Sequence, residues 1–296
     1  MKAWKAYSTS VPGKWVLAGE HTVLRGGRAI ALPHPEFSLK LDYRPSDGNL
    51  EVEPDLASPV IQDLLRLARD WLAKRNVRME LPRGSVKIRS TIPFGAGLGS
   101  SAALSVATAR WVLAAHSLDR SLERDLAREM ENRFHGKSSG MDVATVSIAQ
   151  PILFSMRSGA VELGLQHLPR FAFFDTGLRA STRDCIEKVD ALRAVDLARA
   201  EEFDQKMAGA TAEILEGLRS FDEAVDRKDD PSQRNAIDQV ARGMDQAGAV
   251  FENWALIPDE VREKLVEIRE KGYLAPRITG AGCGGFIVAI DPISKV

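Results

Sequence analysis

Three stretches of the chain place chemically useful side chains beside glycine. The first is Pro93-Phe94-Gly95-Ala96-Gly97-Leu98-Gly99-Ser100-Ser101-Ala102-Ala103, in which alternating glycines run straight into an apolar helical segment, Ala102 to Leu118. The first-turn N–H groups of a helix lack intrahelical partners, and the helix dipole is positive there. A phosphate chain placed at such an end is cradled by backbone donors. Ser100 or Ser101 can serve as the N-cap, and a hydroxyl can also face a metal ion. A tight turn with an ordinary serine cap has the same ending, but the glycines before it favour the phosphate reading.

The second stretch runs from Glu131 through His135-Gly136-Lys137-Ser138-Ser139-Gly140-Met141 to Asp142. Two carboxylates flank a Gly/Ser turn. One can bind Mg²⁺, which takes hard oxygen ligands and commonly uses one or two carboxylates together with phosphate oxygens. The other can orient or deprotonate a hydroxyl. On local sequence alone, a surface glutamate at 131 and a helix-capping aspartate at 142 fit slightly better. The third stretch is Pro12-Gly13-Lys14-Trp15-Val16-Leu17-Ala18-Gly19-Glu20-His21. Lys14 beside a carboxylate would stabilise an oxyanion, and Glu20-His21 would contact a polar substrate. A lone lysine in this setting is more often a solvated one.

Other motifs fail on inspection. Gly280-Ala281-Gly282-Cys283-Gly284-Gly285 satisfies G-x-G-x-x-G. A dinucleotide fold needs a helix after it and an acidic residue about 20 positions on, whereas Gly285 to Ile290 reads as a strand. Gly136-Lys137-Ser138 ends like a P-loop, but the first glycine of that pattern would fall on Glu131. Histidines 21, 34, 116, 135 and 167 show no metal-ligand spacing, and His116 reads as a core or rim residue of its helix.

The elements that must position these groups follow from hydrophobic period. Lys14 to Ala18, Ala29 to Leu32, the alternating Phe37 to Tyr43, and Val86 to Arg89 read as strands. Pro59 to Arg75 and Leu122 to Phe134 read as helices. Phe171 to Phe174 reads as a central strand. Beyond it come long charged helices near 182–193, 204–227, 233–253 and 259–271. Strands and helices mix without regular βαβ alternation, so the fold class is α+β, with a domain boundary near residues 155–170.

Composition narrows the function. A chain of 296 residues suits two modest domains or one large one. Forty Lys and Arg against 41 Asp and Glu leave a net charge of −1, which argues against general nucleic-acid or anionic-membrane binding. Only two cysteines, Cys185 and Cys283, are present. They cannot form a disulfide framework or a four-cysteine zinc site, and they suit a reducing compartment. The longest uncharged stretch, Ser90 to Ala109, carries Pro93 and three glycines and reads as a loop entering a helix, not a membrane span. The first residues lack an apolar run of the signal-peptide kind. A cytoplasmic protein that works without nucleic acid or membrane is expected.

Taken together, Pro12 to Pro33, Pro93 to Ala103 and Thr279 to Gly285 resemble, in order and spacing, the three signature motifs of the GHMP small-molecule kinases, and most resemble the mevalonate kinases among them. Pro12-Gly13-Lys14 through Ala29-Ile30-Ala31 matches P-G-K-x-x-L-x-G-E-H-x-V-x-x-G-x-x-A-I-A. His135 to Asp142 is similar to H-G-x-P-S-G-x-D, with Ser138 in place of proline. Asp175-Thr176-Gly177, followed by Ser181-Thr182, is similar to a further family segment. Arg277 stands where a lysine is frequent.

The resemblance implies a GHMP kinase fold. Residues 1–165 would form a domain like the second domain of ribosomal protein S5, and residues 166–296 a ferredoxin-like domain. Pro93, Gly95, Ala96, Gly97, Leu98, Gly99, Ser100, Ser101 and Ala102 would bind ATP. Ser101 and Glu131 would hold Mg²⁺. Asp142 would be the catalytic carboxylate, with Lys14 as its partner steadying the developing alkoxide. Glu20, His21, Ser139, Gly140, Gly280, Ala281 and Gly282 would bind the acceptor, with mevalonate as the expected one. His21, Lys137 and Arg183 are candidates, by charge, for its carboxylate, and a homodimer is the usual state. A galactokinase would have arginine at position 14 and aspartate at 23. A homoserine kinase would lack the carboxylate at 142. A phosphomevalonate kinase, the nearest rival, usually has tyrosine in place of His21. A catalytically silent GHMP-fold binding protein would be free to lose Lys14, Ser101, Glu131 and Asp142, all of which are present.

Overall fold

The structure, a computed structural model, describes residues 4–135 and 139–292. Its contacts cluster into two units, neither continuous in sequence. The first holds the chain up to Lys14, Pro33–Pro93 and Leu98–Ala149. The second holds Trp15–Leu32, Phe94–Gly97 and everything described from Gln150 on. The single cut expected between residues 165 and 166 is therefore replaced by several crossings, because two long strands and the glycine-rich loop each pass from one unit into the other.

Those strands are β1 (Tyr7–Ala18) and β2 (Arg28–Pro45), which pair with each other. The short strands expected at 29–32 and 37–43 are one strand. Pro33 and Pro35 lack a backbone donor, and they fall between the stretches of β2, residues 28–31 and 39–45, that pair with two further strands. In the first unit, residues 39–45 pair with β4 (Gly84–Ser90), and β4 pairs in parallel with β3 (Leu50–Glu53). Helix α1 (Ser58–Ala73) starts with Pro59 in its first turn and buries Ile61, Leu64, Leu65, Ala68, Trp71 and Leu72, a single helical stripe. Helix α2 (Ser100–His116) is apolar around its whole circumference and packs against α1, α3 (Glu123–His135) and α4 (Met141–Ile148). His116 sits at its rim, with Nδ1 2.9 Å from the Val112 carbonyl oxygen.

In the second unit, residues 28–31 of β2 pair with β5 (Ile152–Ser155), and β5 turns back onto β6 (Gly159–Glu162). A separate antiparallel sheet has the order β7 (Phe171–Asp175), β9 (Phe286–Ile290), β8 (Leu274–Thr279). The expected centrality of Phe171–Phe174 is corrected: β9 is central and fully buried, while β7 is an edge strand with half-buried side chains. Between them run α5 (Thr182–Val195), α6 (Leu197–Asp226), α7 (Asp230–Asn253) and α8 (Asp259–Glu270). Helices α6 and α7 approach closely because each gives up a side chain at the crossing. A Cβ on Gly217 would lie 2.8 Å from Val240 Cγ2, and one on Gly243 2.6 Å from Ile214 Cγ1. Among the described residues, no helix is long and apolar enough to cross a membrane.

Candidate active site

Lys14 lies in β1, at the edge of the first unit. Its side chain is 6% exposed, and its Nζ lies 3.0 Å from Asp142 Oδ2. The lysine is thus not the solvated residue its local sequence allows. Its backbone N–H donates to the Leu98 carbonyl at 2.9 Å, which ties β1 to the glycine-rich loop. Gly99 packs on the lysine stem so tightly that a Cβ there would come 2.7 Å from Lys14 Cγ.

The loop itself is built on positive φ. Gly95, Gly97 and Gly99 have φ of 69°, 75° and 78°, a conformation costly for residues with a Cβ. Gly99 is the N-cap of α2, so neither Ser100 nor Ser101 caps the helix; both lie in its first turn. A glycine cap provides no side-chain acceptor for the first N–H groups, which suits an end that receives an anion. Ser101 places a hydroxyl two residues beyond Gly99.

Asp142 stands in the first turn of α4, after Gly140 at φ 85°, where a negative charge is favoured by the helix dipole. Its side chain keeps 30% exposure. The Ser139 hydroxyl accepts from the Met141 N–H at 3.2 Å, which shapes the turn before the helix. Gly136, Lys137 and Ser138 lie outside the described residues. Glu131 is buried on α3, which packs against α2 and α4. Among the described residues, no three His, Cys, Asp or Glu side chains gather as a metal cage. Oxygen donors from Ser101 and Glu131 are compatible with Mg²⁺, which binds few protein ligands and completes its shell with phosphate and water.

The Glu20-His21 pair belongs to the second unit. Glu20 is 4% exposed, and its Oε1 accepts from Arg277 Nη2 at 2.9 Å. Arg277 also donates to the Leu17 carbonyl and faces the Phe251 ring. Glu20 is therefore held in a dry ion pair with Arg277. Burial pushes its carboxyl above the usual range, and the Arg277 charge opposes that rise. His21 is buried too, with Nε2 2.8 Å from the Ala281 carbonyl oxygen and its ring edge-on to Trp254. Loss of water lowers its pKa, against the pull of that carbonyl. Gly280, Ala281 and Gly282 thus share a locus with His21. Arg183, another candidate by charge, is exposed and donates to Glu187 at 2.8 Å.

The same unit holds the first part of the glycine-rich loop against the last glycine cluster. A Cβ on Gly285 would lie 2.8 Å from the Ala96 carbonyl oxygen, and one on Gly280 3.8 Å from that of Gly97. The Gly285 carbonyl accepts from both N–H and Oγ1 of Thr176, at 2.9 and 2.8 Å. Arg277, noted in the sequence only for standing where a lysine is frequent, is the participant given no role there. Its signal was a lone charge inside the apolar run Leu274-Ala275-Pro276-Arg277-Ile278, which demands a buried partner.

Fold and site together define a class. Residues 61–150 match the family model described as the GHMP kinases N terminal domain. The protein is an ATP-dependent small-molecule kinase. Within that class it is similar to the mevalonate kinase of Aeropyrum pernix, at 29% identity over 97% of this chain and 89% of that protein. The mevalonate kinase of Thermococcus sibiricus is 27% identical over 96% of this chain and 88% of its own length. Among solved structures, L. major mevalonate kinase superimposes with a TM-score of 0.76 at 19% identity, covering 96% of this chain and 87% of that one.

Proposed function

We propose that the protein transfers the terminal phosphoryl group of ATP to the primary hydroxyl of mevalonate, giving 5-phosphomevalonate. The observation that carries the chemistry is the 3.0 Å contact of buried Lys14 with Asp142 beside Gly99. The choice of acceptor rests on the near full-length similarity to mevalonate kinases. Phosphoryl transfer needs mainly positioning and neutralisation of phosphate charge. The backbone of residues 93–102 binds the ATP phosphates at the entrance to α2. Ser101 and Glu131 would hold Mg²⁺, which would neutralise charge on the phosphate oxygens.

Asp142 takes the proton of the acceptor hydroxyl as attack proceeds, a role within reach of a positioned carboxylate. Lys14 holds Asp142 in place and stabilises negative charge developing on the acceptor oxygen. His21, Ser139, Gly140, Ala281 and the flanking Gly280 and Gly282 serve acceptor binding. Glu20 acts one step removed, by fixing Arg277 and the start of the turn that carries His21.

The deciding experiment measures ADP release from Mg-ATP with mevalonate, phosphomevalonate, galactose and homoserine in parallel. The expected result is turnover with mevalonate at a kcat/KM at least tenfold above any other acceptor. Preference for phosphomevalonate would move the assignment to the next kinase of similar fold. Tight ligand binding without turnover on any acceptor would identify a silent binding protein instead.

A further inference from the structure

The only two cysteines of the chain are 98 positions apart in sequence, Cys185 in α5 and Cys283 in the last glycine cluster. Yet Cys185 Sγ donates to the carbonyl of Gly282, the residue before Cys283, at 3.4 Å. Lys188 Nζ, one turn along α5, lies 3.4 Å from Cys283 Sγ. Cys283 is partly exposed, whereas Cys185 is buried. The backbone at Cys283 has φ 59°, a conformation that favours glycine, and its N–H is held by the Leu256 carbonyl at 2.8 Å. A glycine would fit here without strain, so the side chain is present at a cost. The proposed phosphoryl transfer uses neither sulfur nor Lys188.

We propose that Cys283 is an oxidant-sensitive modification site, with Cys185 as its resolving partner. The co-reactant is a hydroperoxide. Cys283 Sγ attacks the terminal oxygen, the O–O bond breaks, and the alcohol or water leaves with the thiol proton. Sulfur is oxidised by two electrons to the sulfenic acid, and the peroxide is reduced by two. Cys185 Sγ then attacks that sulfur, an S–S bond forms, and the hydroxyl departs as water with the Cys185 proton. Sulfenic acids condense with neighbouring thiols in this way.

The geometry assigns the order of the two steps. An ammonium next to a partly exposed sulfur is the setting of reactive cysteines, and only Cys283 has both. Burial, with Cys283 next in importance, pushes the Cys185 thiol up to about 12. Cys185 is thereby a poor first nucleophile. Its place against the Gly282 carbonyl, one residue before Cys283, compensates in the second step, because an intramolecular partner acts at high effective concentration. The bond would tether α5 to the 280–285 segment, whose Gly280 and Gly285 lie against residues 96–97 of the glycine-rich loop. Disulfide formation should therefore reduce ATP-dependent turnover, a consequence that rests on the kinase reading, while the bond itself does not.

The test treats the folded full chain with hydrogen peroxide, quenches, and maps peptides by mass without reduction. The expected result is a Cys185–Cys283 cross-linked peptide, loss of both free thiols, and recovery of both on adding dithiothreitol. Cys185→Ser should leave Cys283 trappable as a dimedone adduct. Cys283→Ser should keep its Cys185 thiol under the same exposure. Lys188→Met should slow the first step by about tenfold. Wild-type protein that remains folded and yields no cross-linked peptide would overturn the proposal, as would equal oxidation of Cys185 in Cys283→Ser. These readouts are masses, so they stand whether or not mevalonate is the acceptor.

Discussion

Gly99 offers a way to move Lys14 without changing any charged residue. In Gly99→Ala the new Cβ would start 2.7 Å from Lys14 Cγ, and an ordinary contact begins near 3.4 Å. The lysine stem must retreat by about 0.7 Å, and its Nζ, now 3.0 Å from Asp142, moves with it. Misplacement of a catalytic group by about 1 Å costs up to roughly 100-fold in rate. A kcat loss of about 10- to 100-fold is expected, or about 1.4–2.7 kcal/mol in the barrier.

Gly97→Ala is the matched control. Its φ of 75° is nearly that of Gly99, but no atom lies within 4 Å of the added Cβ. Both variants carry about 1–2 kcal/mol of left-handed backbone strain, so both should melt a few degrees lower. Gly97→Ala should act through the KM for ATP, because its Cβ projects from a backbone proposed to face phosphate. Steady-state ADP release at saturating acceptor, with thermal melts of each variant, makes the comparison. Equal kcat values in the two variants would refute the coupling of Gly99 to Lys14 and weaken the role given to the lysine.

Asp142→Asn should lower kcat by about 10²- to 10⁴-fold, the range for loss of a general base, while calorimetric ATP affinity changes little. Ser101→Ala should raise the Mg²⁺ concentration needed for half-maximal rate, read from a metal titration at fixed ATP. Arg277→Met leaves Glu20 as a buried, unpaired carboxylate, which costs about 3–5 kcal/mol; denaturant melts at neutral pH should show it. Glu20 has its carboxyl raised by burial in the folded chain, and removing Arg277 raises it further. Between the ordinary and the raised value the folded state binds the extra proton, so the deficit should shrink as pH falls through the raised value and be smallest below the ordinary value. Arg277→Met/Glu20→Leu should recover most of the loss at neutral pH, and a deficit that is flat with pH would count against the pair.

Much of the fold was legible because helical stripes and capping patterns are local. The helices expected at 59–75, 102–118, 233–253 and 259–271 appear within a few residues of those bounds. The helix expected from residue 204 begins at Leu197, since the Asp196 carboxylate accepts from the Arg199 N–H and starts it earlier. Strands fared worse where their stability is borrowed from a neighbour. Leu50–Glu53 and Gly159–Glu162 carry little apolar pattern and are strands because β4 and β5 pair with them. Leu274–Thr279 contains Pro276 and a break in register between Leu274 and Arg277. In the candidate site, residue types at 14, 99 and 142 were readable from motif spacing. The buried destination of Glu20 was not, because it depends on Arg277, 257 positions away.

Lys14 in the first unit and Arg277 in the second are each a buried cation facing a carboxylate, and the difference between these two pairs separates their duties. Arg277 and Glu20 have side-chain exposures of 0% and 4%. The contacts of this pair fix the chain at Leu17, Glu20 and the turn beyond. Lys14 is buried almost as deeply, but Asp142 is 30% exposed. One carboxylate oxygen can be held by the ammonium from behind while the group remains open to a hydroxyl in front. A dry pair gains little net stability, since desolvation consumes most of the attraction; an asymmetric one keeps the cation aimed while leaving the anion open for proton transfer. Substituting either carboxylate by its amide should therefore divide the effects: Glu20→Gln should move the melting temperature more than kcat, and Asp142→Asn should move kcat more than the melting temperature. A reversal of that order would mean that the exposed carboxylate is the structural one and that the proposed base lies elsewhere.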